Sequence, residues 1–283
     1  MKRSILILVA GFLAGGAHGE APGDKSRFHL FNPTPREQMR EMSTDRPDKT
    51  ESPYTVDAGH FQIESDLVSF SYDRHNPERA PSTTEAYSVA AINFKAGLLP
   101  NVDLQLVVES YQTVRTSTPG AREHNRGFGD LTARLKVNLW GNDGGATALA
   151  LMPFVKIPTN QDDLGNHSVE GGLIVPLAVA LPGGWKMGVM TEADLIENAG
   201  PGGHHVEWIN TLTLGHAIVG RLGGYLEFFS LVSSERAAPW VATFDAGLTY
   251  AVTDDLQLDI GVNLGLTRSA DDINPFVGLS WRF

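Results

Sequence analysis

The feature that most constrains this chain is a strict alternation between apolar and polar residues at 256–267. In an extended strand, such a two-residue period makes one face entirely apolar and leaves polar side chains or glycine on the other. A strand with one fully apolar face is typical of a transmembrane β-barrel, in which lipid contacts one face and the lumen the other. The apolar positions are Leu256, Leu258, Ile260, Val262, Leu264 and Leu266.

The last residues repeat the alternation and finish on an aromatic side chain, with Val277, Leu279, Trp281 and Phe283 on one face. This ending resembles the C-terminal aromatic signal by which outer-membrane proteins are recognised for assembly. We therefore expect the barrel assembly machinery, acting through Phe283, to be a partner. The other expected partners are outer-membrane lipid and a small-molecule solute.

The first nineteen residues have the pattern of a cleaved signal peptide. Lys2 and Arg3 precede a short apolar segment, and a motif of small residues ends at Gly19. The apolar segment is too short to span a bilayer as a helix, which disfavours the alternative of an N-terminal membrane anchor. We expect export, with cleavage after Gly19 or one or two residues away.

Composition excludes several functional classes. The chain has 283 residues, no cysteine and a formal net charge of −11. Without cysteine there are no disulfides or thiolate metal sites. An acidic chain without a basic aromatic patch is a poor nucleic-acid binder, so we expect no nucleic-acid partner. Excess carboxylate inside a barrel would favour cations, although a solvated acidic surface would carry the same charge.

From residue 59 onwards the sequence predicts an all-β fold, an antiparallel up-and-down transmembrane β-barrel of about 12 strands. Short and long connections alternate along the chain, as they do in outer-membrane barrels with short periplasmic turns and longer extracellular loops. This alternation of short and long connections, with an even number of strands, predicts a Gram-negative outer-membrane protein with both termini in the periplasm. The predicted strands are 59–72, 84–98, 103–115, 127–139, 145–157, 168–181, 185–197, 204–218, 222–232, 240–252, 255–267 and 273–283.

Aromatic residues near the predicted strand ends fit the two interfacial girdles of such barrels. Tryptophan is the clearest case, because every one of the five lies near a predicted strand end. Chance could also produce this distribution, so it supports the barrel only weakly. The residues are Trp140, Trp185, Trp208, Trp240 and Trp281.

Residues 43–64 read STDRPDKTESPYTVDAGHFQIE. This segment resembles the opening of a family of outer-membrane barrels labelled transporter or phenol meta-cleavage-pathway protein, whose members read close to TDRPDxTESPxTVPxGxxQxE. One departure is Asp57-Ala58, which stands where a proline is common. The resemblance implies a transport role for aromatic or other small hydrophobic compounds. The matching residues are Thr44, Asp45, Arg46, Pro47, Asp48, Thr50, Glu51, Ser52, Pro53, Thr55, Val56, Gly59, His60, Gln62 and Glu64.

Residues 20–58, here called the arm, are polar, proline-rich and without sustained periodicity. One interpretation is a plug that enters the lumen near its periplasmic end and pairs with strand charges such as Arg134 and Lys136. The other is a solvated periplasmic leader. The predicted domains are therefore the signal peptide 1–19, the arm, and the barrel 59–283. The arm residues expected to act as gate or plug are Asp45, Arg46, Asp48 and Glu51.

Charged residues on the polar faces of the strands are the candidate lumen lining. A barrel of about 12 strands is intermediate between small barrels filled by side chains and wide barrels with aqueous channels. Opposed rows of acid and base could select polar or charged solutes, or could close the lumen as a salt-bridge network. The predicted lumen-lining residues are Arg134, Lys136, Glu192, Asp194, Glu227, Asp245 and Asp259.

These observations favour an outer-membrane channel or transporter for small molecules, with no enzymatic activity, cofactor or metal. A closed structural or adhesive barrel is the alternative, and a barrel-wall hydrolase is less favoured. The segment Asn-His-Ser at 166–168 lacks the residue order of outer-membrane phospholipases, and adjacent residues of a strand point to opposite faces. His205 and Glu207 would share a strand face, but two ligands are too few for a metal site.

Overall fold

The computed structural model describes residues 24–77, 79, 81–198 and 202–283. The expected signal peptide lies outside the described residues. Within the described part of the chain, the helices are two single 3-10 turns, Arg36–Gln38 and Pro182–Gly184. None of these described helices has the length and apolar character needed to cross a bilayer.

Fourteen strands run through the described residues, and their alternating sequences explain why they are extended. They are β1 (Phe61–Asp73), β2 (Thr83–Leu99), β3 (Val102–Val108), β4 (Tyr111–Thr118), β5 (Ala121–Gly127), β6 (Leu131–Trp140), β7 (Thr147–Ile157), β8 (Glu170–Ala180), β9 (Lys186–Glu197), β10 (His204–Val219), β11 (Leu222–Ser233), β12 (Val241–Ala251), β13 (Leu256–Gly265) and β14 (Ile273–Arg282).

Twelve of these strands close into an antiparallel barrel. Strands β6 to β14 pair in chain order, β3 joins β6 to β2, and β1 lies between β2 and β14. The wall closes where Gln62 of β1 pairs with Arg282 on one side and with Lys95 on the other. The predicted all-β antiparallel barrel of about 12 strands is therefore confirmed.

The two ends of the barrel differ in their connections. At one end, where β1 begins and β14 ends, neighbouring strands are joined by turns as short as residues 220–221. We call this the short-turn end. The opposite end carries the longer connections, such as residues 158–169 between β7 and β8, and we call it the long-loop end.

Strands β4 and β5 correct the prediction in one region. The predicted strand 103–115 breaks after Val108 into β3 and β4, and the predicted long loop 116–126 is mostly strand. β4 and β5 form a hairpin whose turn contains Gly120 at φ 95°. β4 pairs with β2, whereas β5 has no second strand partner among the described residues. Periodicity did not reveal the hairpin because strands that extend beyond the lipid need no apolar face.

The two faces of the barrel wall have opposite chemistry. On β13, Ile260 is 54% exposed on the outer face, whereas the adjacent Asp259 is 6% exposed on the inner face. The largest fully buried side chains include Lys95, Lys136 and Glu227. The interior is therefore charged and the exterior apolar, which is the arrangement required of a barrel surrounded by lipid.

Exposed tryptophans mark both ends of this apolar exterior. Trp140, Trp185 and Trp281 lie towards the short-turn end, and Trp208 and Trp240 lie towards the long-loop end. Each is between 44% and 52% exposed. The five side chains thus divide between two levels, as interfacial girdles require.

Candidate functional site

From residue 36 to residue 57, the arm enters the barrel from the short-turn end and returns to it as a re-entrant loop. Its N-terminal part is tied to the short-turn end by an ion pair between Arg36 and Asp255. Its C-terminal part returns to the same end, where Asp57 contacts Arg282 of β14 at 3.5 Å. Between these two ties, residues 45–51, here called the arm tip, reach into the lumen.

Asp45 occupies a buried basic site on one side of the lumen. Its carboxylate contacts Lys136 Nζ of β6 at 2.7 Å and Lys95 Nζ of β2 at 2.5 Å. It also accepts a hydrogen bond from the backbone N–H of Ser52 at 2.9 Å, while Glu64 of β1 pairs with Lys95. Burial opposes ionisation, but Lys136 and Lys95 outweigh it and hold the pKa of Asp45 below its usual value.

Arg46 bridges β1 and β13. Its Nη1 contacts Asp66 Oδ1 at 2.6 Å, and its Nη2 contacts Asp259 Oδ1 at 2.7 Å. The guanidinium carbon lies 5.7 Å from the centre of the Phe276 ring. A Cβ at Gly278 would come within 2.1 Å of Arg46 Nη2, so the space that the guanidinium occupies exists because residue 278 has no side chain.

Lys49 and Thr50 fasten the arm tip to the opposite wall. Lys49 Nζ lies 3.1 Å from Asp245 Oδ2 of β12, and its backbone N–H donates to Glu227 Oε2 of β11 at 2.8 Å. The hydroxyl of Thr50 donates to Glu227 Oε1 at 2.5 Å and lies 2.6 Å from the hydroxyl of Thr211 on β10.

Glu51 pairs with Arg134 on β6, at 2.6 Å between Oε1 and Nη1. Its second oxygen, Oε2, is buried without a hydrogen-bond partner among the described residues. Burial, followed by the negative charge of Asp45, raises the pKa of Glu51 to about 7, although Arg134 acts in the opposite direction.

The charges of the arm tip are sorted between the two walls. Asp45 and Glu51 face the basic side chains of β2 and β6. Arg46 and Lys49 face the carboxylates of β1, β12 and β13. Asp48 is the exception: burial and the nearby carboxylate of β11 raise its pKa well above the usual value. The arm tip therefore complements a lumen that is basic on one side and acidic on the other.

Five of the seven predicted lumen residues contact the arm through ion pairs or hydrogen bonds. The other two, Glu192 and Asp194 of β9, form no ion pair within the described part of the chain, and Asp194 Oδ1 is buried there without a hydrogen-bond partner. The five in contact with the arm are Arg134, Lys136, Glu227, Asp245 and Asp259.

The prediction omitted three charged residues that hold the arm tip: Lys95, Glu64 and Asp66. Lys95 is a cation within a mostly apolar stretch of the predicted strand 84–98, which is a signal for an inward charge. Glu64 belongs to the motif that carried the family resemblance. Asp66 gave no such signal, because a bulge between Asp66 and Val68 shifts the register of β1 against β14.

Two cavities meet at the arm tip. One, of about 920 Å³, lies between the arm and strands β9–β13 and reaches the short-turn end. The other, of about 340 Å³, lies on the far side of the arm tip. Arg46, Pro47, Asp48 and Glu51 line both cavities. The arm tip is therefore the partition between two spaces inside the barrel.

An inward aromatic side chain lines each cavity, Tyr225 the larger and Phe276 the smaller. Both rings lie directly on glycines: a Cβ at Gly247 would come within 2.5 Å of Tyr225, and one at Gly261 within 2.5 Å of Phe276. The missing side chains let the rings pack flat against the wall. Each ring is only 8% exposed, so a solute could stack on it only after the arm tip moves.

The other sequence candidates do not assemble into catalytic or metal sites. Ser168 Oγ is buried without a hydrogen-bond partner in the described structure, so it forms no nucleophile–base pair with His167. His205 Nε2 lies 3.5 Å from Glu207 Oε1. Among the residues described, no group of three or more His, Cys, Asp or Glu is arranged to hold a metal ion.

Comparison with known proteins identifies a family and a shared architecture. The family model described as "Putative MetA-pathway of phenol degradation" matches residues 44–283. An outer membrane channel from Pseudomonas putida F1 has a similar structure, with a TM-score of 0.59, 13% identity, and coverage of 85% of this chain and all of that one. The NanC porin has a TM-score of 0.50, 9% identity, and coverage of 78% and 98%. No curated protein matches the chain significantly.

Proposed function

This chain belongs to the MetA-pathway phenol degradation family, and we propose that it is an outer-membrane channel for small molecules whose arm gates the lumen. The solute would cross without covalent chemistry, since no nucleophile–base pair forms at the candidate serine. The proposal requires a barrel in lipid, a path through it and a movable partition.

Placement in the outer membrane is supported by the apolar outer face and the two levels of exposed tryptophan. The difference in connection length supports a periplasmic short-turn end, because barrels of this class have short turns there. Phe283 lies beside Trp281, with ring centres 4.9 Å apart, and is 48% exposed. An accessible aromatic residue is suited to recognition by the assembly machinery.

The observation that carries the channel proposal is the pair of cavities that share the arm tip as their partition. Together they extend from the short-turn end to the far side of the arm tip. Because the same four arm residues line both spaces, displacing the arm tip would join them. A barrel filled only for stability has no need of two cavities that meet at one loop.

The contacts of the arm indicate which side moves. Asp45 is held by lysines that are 2% exposed or less, and releasing it would leave Lys136 buried without a carboxylate partner and Lys95 with Glu64 alone. Lys49 lines the smaller cavity, is 31% exposed and pairs with Asp245. We therefore assign the pivot to Asp45 and the opening side to Lys49 and Thr50.

A small aromatic compound is the solute class that fits best. The family description names phenol degradation, and Tyr225 and Phe276 line the two cavities, where displacement of the arm tip would uncover their rings. A planar aromatic solute can stack on such faces while its polar group meets the charged lining.

Single-channel recording in a planar bilayer tests this function. We expect the refolded mature protein to give small steps of defined size, and a variant lacking the arm, residues 20–58, to give larger steps. Heat-modifiable mobility on a gel would confirm that both proteins form barrels. Absence of current from both folded proteins would contradict the channel proposal.

A closed structural barrel is the second candidate. The buried network of Asp45, Lys95, Lys136 and Glu64 favours it, because these groups fill and cross-link part of the lumen. The two functions differ in the behaviour of the protein that lacks the arm. A structural barrel would lose stability without gaining conductance.

A further inference from the structure

The β4–β5 hairpin carries three arginines on one face. Pairing in the hairpin sets Arg115 opposite His124 and Arg126 opposite Thr113, while Arg122 lies opposite Ser117. Directly opposite residues of antiparallel strands point to the same side. Arg115, Arg122, His124 and Arg126 therefore form one surface, which we call the basic patch.

The basic patch faces away from the barrel axis. Tyr111 pairs with Val89 of β2, and Tyr111 and Arg115 share a face because they are four residues apart on β4. Val89 and Tyr111 are both exposed on the apolar outer surface of the wall. The four side chains of the basic patch are also exposed. They are thus presented to whatever surrounds the barrel.

The positive charge of the basic patch is uncompensated. None of Arg115, Arg122 and Arg126 forms an ion pair with any described residue. His124 Nε2 lies 2.7 Å from the hydroxyl of Thr113. The nearby carboxylates are Glu85, which lies opposite Arg115 in β2, and Asp162, which accepts a hydrogen bond from the backbone N–H of Arg126 at 3.0 Å; neither forms an ion pair with a described residue. Three arginines against two carboxylates leave the patch cationic on a chain whose net charge is −11.

The patch begins just beyond exposed aromatic residues. Tyr87, Tyr111 and Phe128 are exposed at this level of the outer surface. Along β4, positions 113 and 115 lie about 7 Å and about 13 Å beyond Tyr111, at about 3.3 Å per residue. Strand tilt reduces these heights, so the first arginines fall within the headgroup layer, which is several ångströms thick on each side of the hydrocarbon.

We propose that the basic patch binds the phosphate groups of an anionic glycolipid in the outer leaflet. The proposal rests on the outer-membrane placement, with the long-loop end outside, but not on conduction. Guanidinium groups bind phosphate through paired, charge-assisted hydrogen bonds, and the aromatic residues beneath would contact the acyl chains. Such a lipid would fix the hairpin, whose β5 edge has no strand partner in the described structure.

Native mass spectrometry of the detergent-solubilised mature protein tests this proposal with bisphosphorylated lipid A as the probe. We expect the protein to bind this lipid at least about tenfold more tightly than dephosphorylated lipid A, because basic residues near a lipid surface are attracted to its anionic groups. The triple variant R115Q/R122Q/R126Q should lose this preference and keep its conductance. The comparison of the two lipids uses the unaltered protein, so this part of the test does not depend on whether a variant folds.

The matched control is R74Q/R236Q/R268Q, which removes three exposed arginines from other long loops and should keep the preference for phosphorylated lipid. Equal affinity of the unaltered protein for both lipids would overturn the proposal, as would a triple variant that retains the preference. Complete displacement of lipid A by an equal concentration of inorganic phosphate would also overturn it, because the patch would then be a site for free phosphate.

Discussion

At the scale of single residues, the position of the arm depends most on Asp45. Its carboxylate is shared by two lysines from different strands, and all three side chains are almost completely buried. Charges in such a site are tolerated only while their partners remain. One of the two sequence-based interpretations of the arm paired its charges with Arg134 and Lys136, whereas Lys95 was placed in a predicted strand without an assigned role.

Replacing Asp45 by Asn should lower the free energy of unfolding by about 3–5 kcal/mol, because Lys95 and Lys136 would be left buried with one fewer countercharge. Urea titration of the refolded protein, followed by heat-modifiable mobility, measures this change. The matched control is Lys25→Gln, which removes an ion pair with Asp143 at the short-turn end. Partly exposed pairs of that kind contribute at most about 1 kcal/mol. Equal effects of the two substitutions would contradict the role given to Asp45.

At the scale of secondary-structure elements, periodicity identified the strands whose outer faces contact lipid. It failed at β4 and β5, where both faces are polar, and at the arm, where no periodicity exists. Local contacts instead determine where the strands before and after the hairpin are interrupted. One such contact is the hydrogen bond that the Glu109 carboxylate accepts from the backbone N–H of Asp130 at 3.2 Å. An alternating hydrophobic pattern indicates a strand with one face in contact with lipid. The hairpin and the arm do not have such a face, so the pattern could not identify them.

The packing of the Tyr225 and Phe276 rings against glycines of neighbouring strands gives a prediction at the scale of elements. Gly247→Ala should destabilise the barrel by about 1–3 kcal/mol, because the new Cβ would lie 2.5 Å from Tyr225 and 2.6 Å from the carbonyl oxygen of Ile260. Gly215→Ala is the matched control, since its Cβ would meet no atom closer than 3.8 Å. Comparison of the two unfolding midpoints checks the prediction. A Gly247→Ala protein as stable as the Gly215→Ala protein would show that the rings do not need the glycines.

At the scale of the whole molecule, the barrel could be predicted but the route of the arm could not. The alternation of apolar and polar residues and the alternation of short and long connections can both be recognised directly in the sequence. Together they predicted the closed barrel that the structure contains. The contacts of the arm join residues far apart in the chain, such as Arg46 and Asp259, which are 213 positions apart. The pairing of acidic with basic side chains across the lumen depends on strand order and register. Neither can be inferred from the sequence motif at residues 43–64.

In the proposed channel, the arm tip moves away from the β10 side to open a path. Because the chain contains no cysteine, the double substitution T50C/T211C places a single pair of thiols where two hydroxyl groups lie 2.6 Å apart. We expect the oxidised protein to lose its open steps in a planar bilayer and to regain them after reduction. The single substitutions T50C and T211C should not respond to oxidant. Identical conductance in the oxidised and reduced states, with the disulfide verified by mass spectrometry, would contradict the account.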